Sequence, residues 1–119
     1  ESGQHFIKMK GNELFKVAVR SMEDTARKLL DDQKMSASDI DIFVPHQANQ
    51  RITDAVAERL GVPSEKVYSN IEHTGNTSAA SIPICLDELV ETGRLQPGTN
   101  LLMTSFGAGV TWGGVLMRW

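Results

Sequence analysis

Hydrophobic residues in this chain change period several times, and that alternation narrows the fold to an α/β class. Phe15, Ala18, Val19, Met22, Ala26, Leu29 and Leu30 recur at steps of three and four. This spacing puts them on one stripe of a helix of about 18 residues, which needs a core to cover it. Gly11-Asn12 precedes the helix, and Asn12 is its expected cap. Upstream, His5–Lys10 alternates apolar and polar residues and predicts a strand with one covered face. After a turn at Ser36–Asp39, Ile40–Val44 predicts a short buried strand that Pro45 ends. A helix follows over about Asn49–Leu60, with Ile52, Ala55, Val56 and Leu60 on one face, and Gly61 and Pro63 stop it. Lys66–Asn70 predicts a third strand. Ser78–Thr92 predicts a third helix, stopped by Gly93, with Pro83 admissible only in its first turns. Pro97-Gly98 then turns the chain into two last strands, Asn100–Phe106 and Val110–Trp119, around Gly107-Ala108-Gly109.

The resulting order is β-α-β-α-β-α-β-β. Alternation of this kind implies a mainly parallel sheet under helical cover. The last two strands are too closely joined for a crossover and must pair antiparallel, so the sheet is mixed. The 119 residues fit a single domain. A net charge of −3 argues against a general nucleic-acid binder. No apolar run approaches the length of a membrane span, and no signal peptide is recognisable. One cysteine excludes an internal disulfide and fits a reducing compartment, so a cytoplasmic location is expected. Glu1-Ser2-Gly3-Gln4 is polar and lacks an initiator Met, which reads as a cut or an interdomain linker.

Two junctions stand out chemically. Val44-Pro45-His46-Gln47-Ala48-Asn49 places a histidine where an apolar strand meets a helix, the edge at which α/β sheets bind ligands. Gly75-Asn76-Thr77-Ser78-Ala79-Ala80-Ser81 places an asparagine at what the pattern predicts to be a second such junction. Taken singly, His46 is as readily a structural histidine, and Asn76 as readily a helix cap. Together they suggest two neutral donors converging on an oxygen that gains negative charge during reaction. Phe106-Gly107-Ala108-Gly109 either offers backbone N–H groups to an oxyanion or is a plain hairpin turn. It lacks the lysine and following helix of a phosphate loop. Cys85, between Ile84 and Leu86, reads as core and not as a nucleophile. Arg51, Asp54 and Glu58 form a charged outer helix face, with Arg51 one turn beyond His46. No Cys/His set has metal-ligand spacing, and no cofactor is expected.

Pro45-His46-Gln47-Ala48-Asn49, Gly75-Asn76-Thr77-Ser78-Ala79-Ala80-Ser81 and Phe106-Gly107-Ala108-Gly109, in this order, resemble the motifs of the 3-oxoacyl-[acyl-carrier-protein] synthase III family. The likeness runs from about Gly11 to Trp119 and corresponds to the C-terminal half of such enzymes. The resemblance implies a thiolase-like fold of two similar halves, usually in a homodimer. It implies a decarboxylative condensation of acyl-CoA with malonyl-acyl-carrier protein that starts fatty-acid synthesis. The nucleophilic cysteine would belong to an N-terminal half not in this chain. By this likeness His46 and Asn76 are catalytic and stabilise an enolate. Phe106, Gly107 and Ala108 form the oxyanion loop, Asn49 lies along the pantetheine arm, and Arg51 receives the acidic carrier protein. The loop reads Gly-Ala-Gly where many members have three glycines, and Glu72-His73-Thr74 departs from a more basic or aromatic lead-in. Two other readings stay open: a polyketide starter synthase with the same Cys-His-Asn chemistry, and a non-catalytic carrier-docking module.

Overall fold

The computed structural model describes residues 11–119. The strand expected at His5–Lys10 lies outside the described residues. Helix α1 (Gly11–Asp32) is followed by β1 (Ile42–Pro45), α2 (Gln50–Leu60), a four-residue helix α3 (Ile71–Thr74), α4 (Ser81–Glu91), and the strands β2 (Asn100–Gly107) and β3 (Thr111–Arg118). Among the described residues the strands form one sheet in the order β1-β2-β3. β1 and β2 are parallel, and β2 and β3 are antiparallel. The mixed α/β architecture expected from the alternation is therefore present.

The core divides along the period of two of the strands. Phe43 and Leu102 face α1 and α2, packing with Val19, Met22, Ala26 and Val56. Ile42, Val44, Leu101 and Met103 face the other way, onto Cys85 and Leu89 of α4. All of β1 is buried, which is why Ile42–Val44 is continuously apolar and not alternating. α1 lies across β2, β3 and α2. Its outer face carries the i,i+4 ion pairs Arg20–Asp24, Arg27–Glu23 and Lys28–Asp32. Asn12 lies inside α1, which already includes Gly11, so it is not the cap expected from the sequence.

α1 approaches β3 closely at Gly114. A methyl group there would sit 2.8 Å from Thr25 Cγ2, 2.9 Å from the Met103 carbonyl oxygen and 3.0 Å from Leu29 Cδ1. The carbonyl belongs to the neighbouring strand and has little room to yield. Gly114→Ala is expected to destabilise the fold by about 1–3 kcal/mol through overpacking, read as a lowered denaturant midpoint.

The third strand expected at Lys66–Asn70 does not form. A 3₁₀ turn occupies Ser64–Lys66, and one bridge, Phe43 to Val67, is all that pairs with β1. The Tyr68 N–H donates to the Phe43 carbonyl at 2.8 Å, as a parallel ladder would begin. The next rung would need an N–H from Pro45, which proline lacks. The Gln47 side chain takes its place, with Nε2 donating to the Tyr68 carbonyl at 3.4 Å. The third predicted helix also starts late: a 3₁₀ turn covers Ser78–Ala80 before α4 begins at Ser81, and Pro83 sits in the first turn of α4 as expected.

Candidate active site

β1 delivers His46 to the end of the sheet. The His46 N–H donates to the Thr104 carbonyl at 2.8 Å, so the parallel pairing holds the backbone one residue past the strand. Its side chain is half-buried, and loss of hydration pushes the imidazole pKa below its usual value of 6.5. The ring is therefore neutral at pH 7, with one N–H to give and one nitrogen to accept. An NMR titration is expected to place the His46 midpoint below 6.5. Because the fold resists protonation, stability falls as pH drops below 6.5 and levels off under the lowered value.

Asn76 reaches the site by another route than expected. It follows α3 and not a strand, because the predicted third strand is broken at Pro45. Gly75, the cap that ends α3, takes a φ of +67°, which favours glycine. The Ser78 N–H then donates to Asn76 Oδ1 at 2.9 Å, with Ser78 itself at a φ of +54°. This bond fixes which way the carboxamide lies. Its oxygen is engaged by the backbone, which leaves the NH₂ group as the part of the carboxamide with hydrogens to give a ligand.

His46 and Asn76 line one cleft of about 780 Å³. Phe106, Gly107 and Ala108 line it too, from the end of β2 and the turn into β3. Leu14 and Val17 of α1 and Ile52 of α2 supply apolar wall. Thus five of the residues singled out by sequence share a single cavity. Asn49 and Arg51 are not among its lining residues, although their neighbours Ala48 and Ile52 are. Asn49 caps α2, its Oδ1 accepting from the Arg51 N–H at 2.9 Å. Arg51 is exposed and holds its guanidinium 5.5 Å from the centre of the Phe15 ring.

Cys85 is fully buried in α4, and burial, then the charge of Glu88, pushes its thiol pKa up to about 11. A thiol so protonated is no nucleophile at neutral pH, in keeping with its reading as core. No group of three or more His, Cys, Asp or Glu side chains able to hold a metal occurs among the described residues. Three contributors were not legible as such in the sequence: the Ser78 amide, the α1 wall, and Gln47. Gln47 lay within a recognised motif, but three of its four partners lie 21 to 23 residues further on.

Comparison with known proteins accords with this geometry. Residues 30–119 match the family model described as 3-oxoacyl-[acyl-carrier-protein] synthase III C terminal. The beta-ketoacyl-[acyl-carrier-protein] synthase III of Chlorobium phaeobacteroides is 53% identical over 115 residues, covering 97% of this chain and 35% of the relative. The crystal structure of the synthase III of Aquifex aeolicus superposes with a TM-score of 0.95 at 50% identity, over 99% of this chain and 38% of that one. The Pseudomonas aeruginosa enzyme gives a TM-score of 0.92 at 47% identity, over 100% of this chain and 38% of that one. The chain thus spans little more than a third of the length of these relatives. By sequence and by fold, it belongs to the family formed by the C-terminal region of 3-oxoacyl-[acyl-carrier-protein] synthase III.

Proposed function

We propose that this chain supplies the enolate-stabilising part of a 3-oxoacyl-[acyl-carrier-protein] synthase III. The observation that carries the reading is that His46 and Asn76 share one cleft, with the Asn76 oxygen already engaged by Ser78. In the proposed reaction an acyl group is first carried as a thioester on a cysteine of the N-terminal half. Malonyl-acyl-carrier protein enters the cleft and loses CO₂. The electron pair of the broken carbon–carbon bond moves onto the thioester oxygen, giving an enolate. A neutral imidazole N–H of His46 and an Nδ2–H of Asn76 donate to that oxygen. The enolate carbon attacks the acyl thioester, whose oxyanion is held by the Ala108 N–H and the cysteine's own N–H. Collapse expels the cysteine thiolate and leaves a 3-oxoacyl product on the carrier. Phe106 and the apolar wall limit water's access to the carbanion.

In this reading Asn49 lies beside the pantetheine arm and Arg51 belongs to the surface that meets the acidic carrier protein. Acyl-CoA is the co-substrate, the whole enzyme is a cytoplasmic homodimer, and no cofactor is required. The test is to place this chain in the A. aeolicus enzyme in exchange for the matching segment. Formation of 3-oxoacyl-carrier protein from acetyl-CoA and malonyl-carrier protein is the expected result. A folded chimera that binds carrier protein without condensation would favour the docking-module reading instead.

The described residues also expose apolar side chains, among them Trp112 at 56%, Val115 at 49% and Trp119 at 41%. Val115 and Met117 lie on the side of β3 opposite the α1-facing Gly114 and Leu116, and an exposed apolar strip there suits cover by the N-terminal half. The isolated chain is expected to self-associate, with light scattering reading above the monomer mass of 13.1 kDa. A clean dilute monomer would contradict this.

A further inference from the structure

Gln47 follows His46 directly and is wholly buried. A carboxamide in a core is costly unless each of its groups is bonded. Here all are. Nε2 donates to the Pro45 carbonyl at 2.7 Å and to the Tyr68 carbonyl at 3.4 Å. Oε1 accepts from the Asn70 N–H at 3.1 Å and shares the single proton of the Ser69 hydroxyl, 2.9 Å away, with Gln50 Oε1 at 2.8 Å. One partner immediately precedes His46. The other three lie on the segment that leads toward Asn76.

That segment passes the constraint onward. Asn70 is itself buried, and its carbonyl accepts from the backbone N–H groups of His73 and Thr74 and from the Thr74 hydroxyl. Its Nδ2 donates to Glu88 of α4 at 3.1 Å, and Glu88 also takes the Tyr68 hydroxyl at 2.6 Å. These bonds build α3, which ends at Gly75, and Asn76 follows. A continuous polar path therefore joins the backbone beside His46 to the turn that presents Asn76. We propose that Gln47 is a positioning residue that sets the spacing of His46 and Asn76 across the cleft. This rests on the functional reading above, in which both side chains must reach one oxygen.

A purely structural Gln47 would affect stability alone, whereas a spacer affects turnover. The experiment uses the A. aeolicus synthase completed with this chain. Gln47→Met keeps length and near volume but removes all four bonds. It is expected to lower kcat by roughly ten- to a hundredfold with KM for malonyl-carrier protein changed by less than about threefold, as displaced catalytic groups do. Gln47→Glu keeps the shape and loses a donor when ionised, so its activity is expected to fall as pH rises through the buried carboxyl's titration, a dependence the unsubstituted protein lacks. Ile40→Val, a core change away from the cleft, is the control for destabilisation.

The proposal is overturned if Gln47→Met loses thermal stability but keeps kcat, or loses no more kcat than Ile40→Val does. Should Gln47→Met fail to fold, Ser69→Ala, which removes one donor from Oε1, replaces it. A kcat within about twofold of the parent there, with no new pH dependence in Gln47→Glu, also overturns it. An unsubstituted assembly without condensation activity counts against the functional reading and with it the spacer. An active assembly indifferent to Gln47 counts against the spacer alone.

Discussion

Replacing His46 or Asn76 by alanine, in a synthase completed with this chain, is expected to lower condensation by about 10²–10³ for each residue. The effect should appear in kcat more than in KM, because the donors meet charge that exists only once CO₂ is leaving. The two losses should not add. Both donors address one oxygen, so the double variant should fall short of the product of the single effects. Asn76→Asp is expected to be at least as damaging as the alanine change, since it removes the NH₂ donors and aims a carboxylate at the developing enolate. Release of CO₂ from malonyl-carrier protein, measured apart from acyl transfer to cysteine, is the direct readout. Either alanine variant working within about threefold of the parent would refute the assignment of roles.

The largest effect on stability is expected from Phe43→Ala. Phe43 is fully buried in the middle of β1 and packs in the cluster formed by α1, α2 and β2. Removing its ring leaves a cavity in a close-packed interior and is expected to cost about 3–5 kcal/mol. That is a large share of the 5–15 kcal/mol typical of a whole domain. Denaturant unfolding should show a markedly lower midpoint, while Phe43→Leu should lose less than alanine does. The site is damaged too. The backbone of Phe43 also holds Tyr68, and any shift of β1 into the cavity moves both that bond and His46 at the strand's end. A cost under about 1 kcal/mol would mean that this side of the core is not where the fold is held.

Glu88 shows how the supporting shell differs from the cleft. The Tyr68 hydroxyl that donates to it, together with His73 and Asn70, holds its carboxyl below the usual value of 4.5 despite partial burial. The same contact, after burial, pushes the Tyr68 hydroxyl up to about 12. Both groups are thus fixed in one protonation state at neutral pH and serve as a brace. His46, neutral through burial with no paired charge behind the shift, is the group free to respond to what enters the cleft.

Much of this was legible along the chain. The three-and-four spacing from Phe15 to Leu30 requires a helix because its hydrogen bonds close within four residues, so local pattern and local structure coincide. The same holds for α2, whose Gly61 stop is read directly and occurs as expected, while Asn49, expected as the first helical residue, is instead its cap. Ile40–Val44 announced a buried strand, and the last two strands announced a hairpin by the shortness of their link. The motifs around His46, Asn76 and Phe106 identified the side chains that line the cleft. Their order is a property of sequence alone.

What lay beyond the sequence pattern depends on contacts between distant residues. Lys66–Asn70 has the composition of a strand, but whether it pairs depends on what stands opposite. Opposite stands Pro45, with no N–H to donate, so the ladder stops after one bridge and the Gln47 carboxamide finishes it. Past Asn70, whose N–H Gln47 takes, the chain enters α3, and Asn76 comes in from the turn after it and not from a strand tip. Periodicity reports a residue's own helix or strand, because those bonds are local. It carries no record of a side chain bonding backbone 21 to 23 positions away. The sequence pattern thus determined α1, α2, β1 and the closing hairpin and named the candidate side chains, while tertiary packing alone decided the course from Lys66 to Asn76 and so the route by which Asn76 comes to line the same cleft as His46.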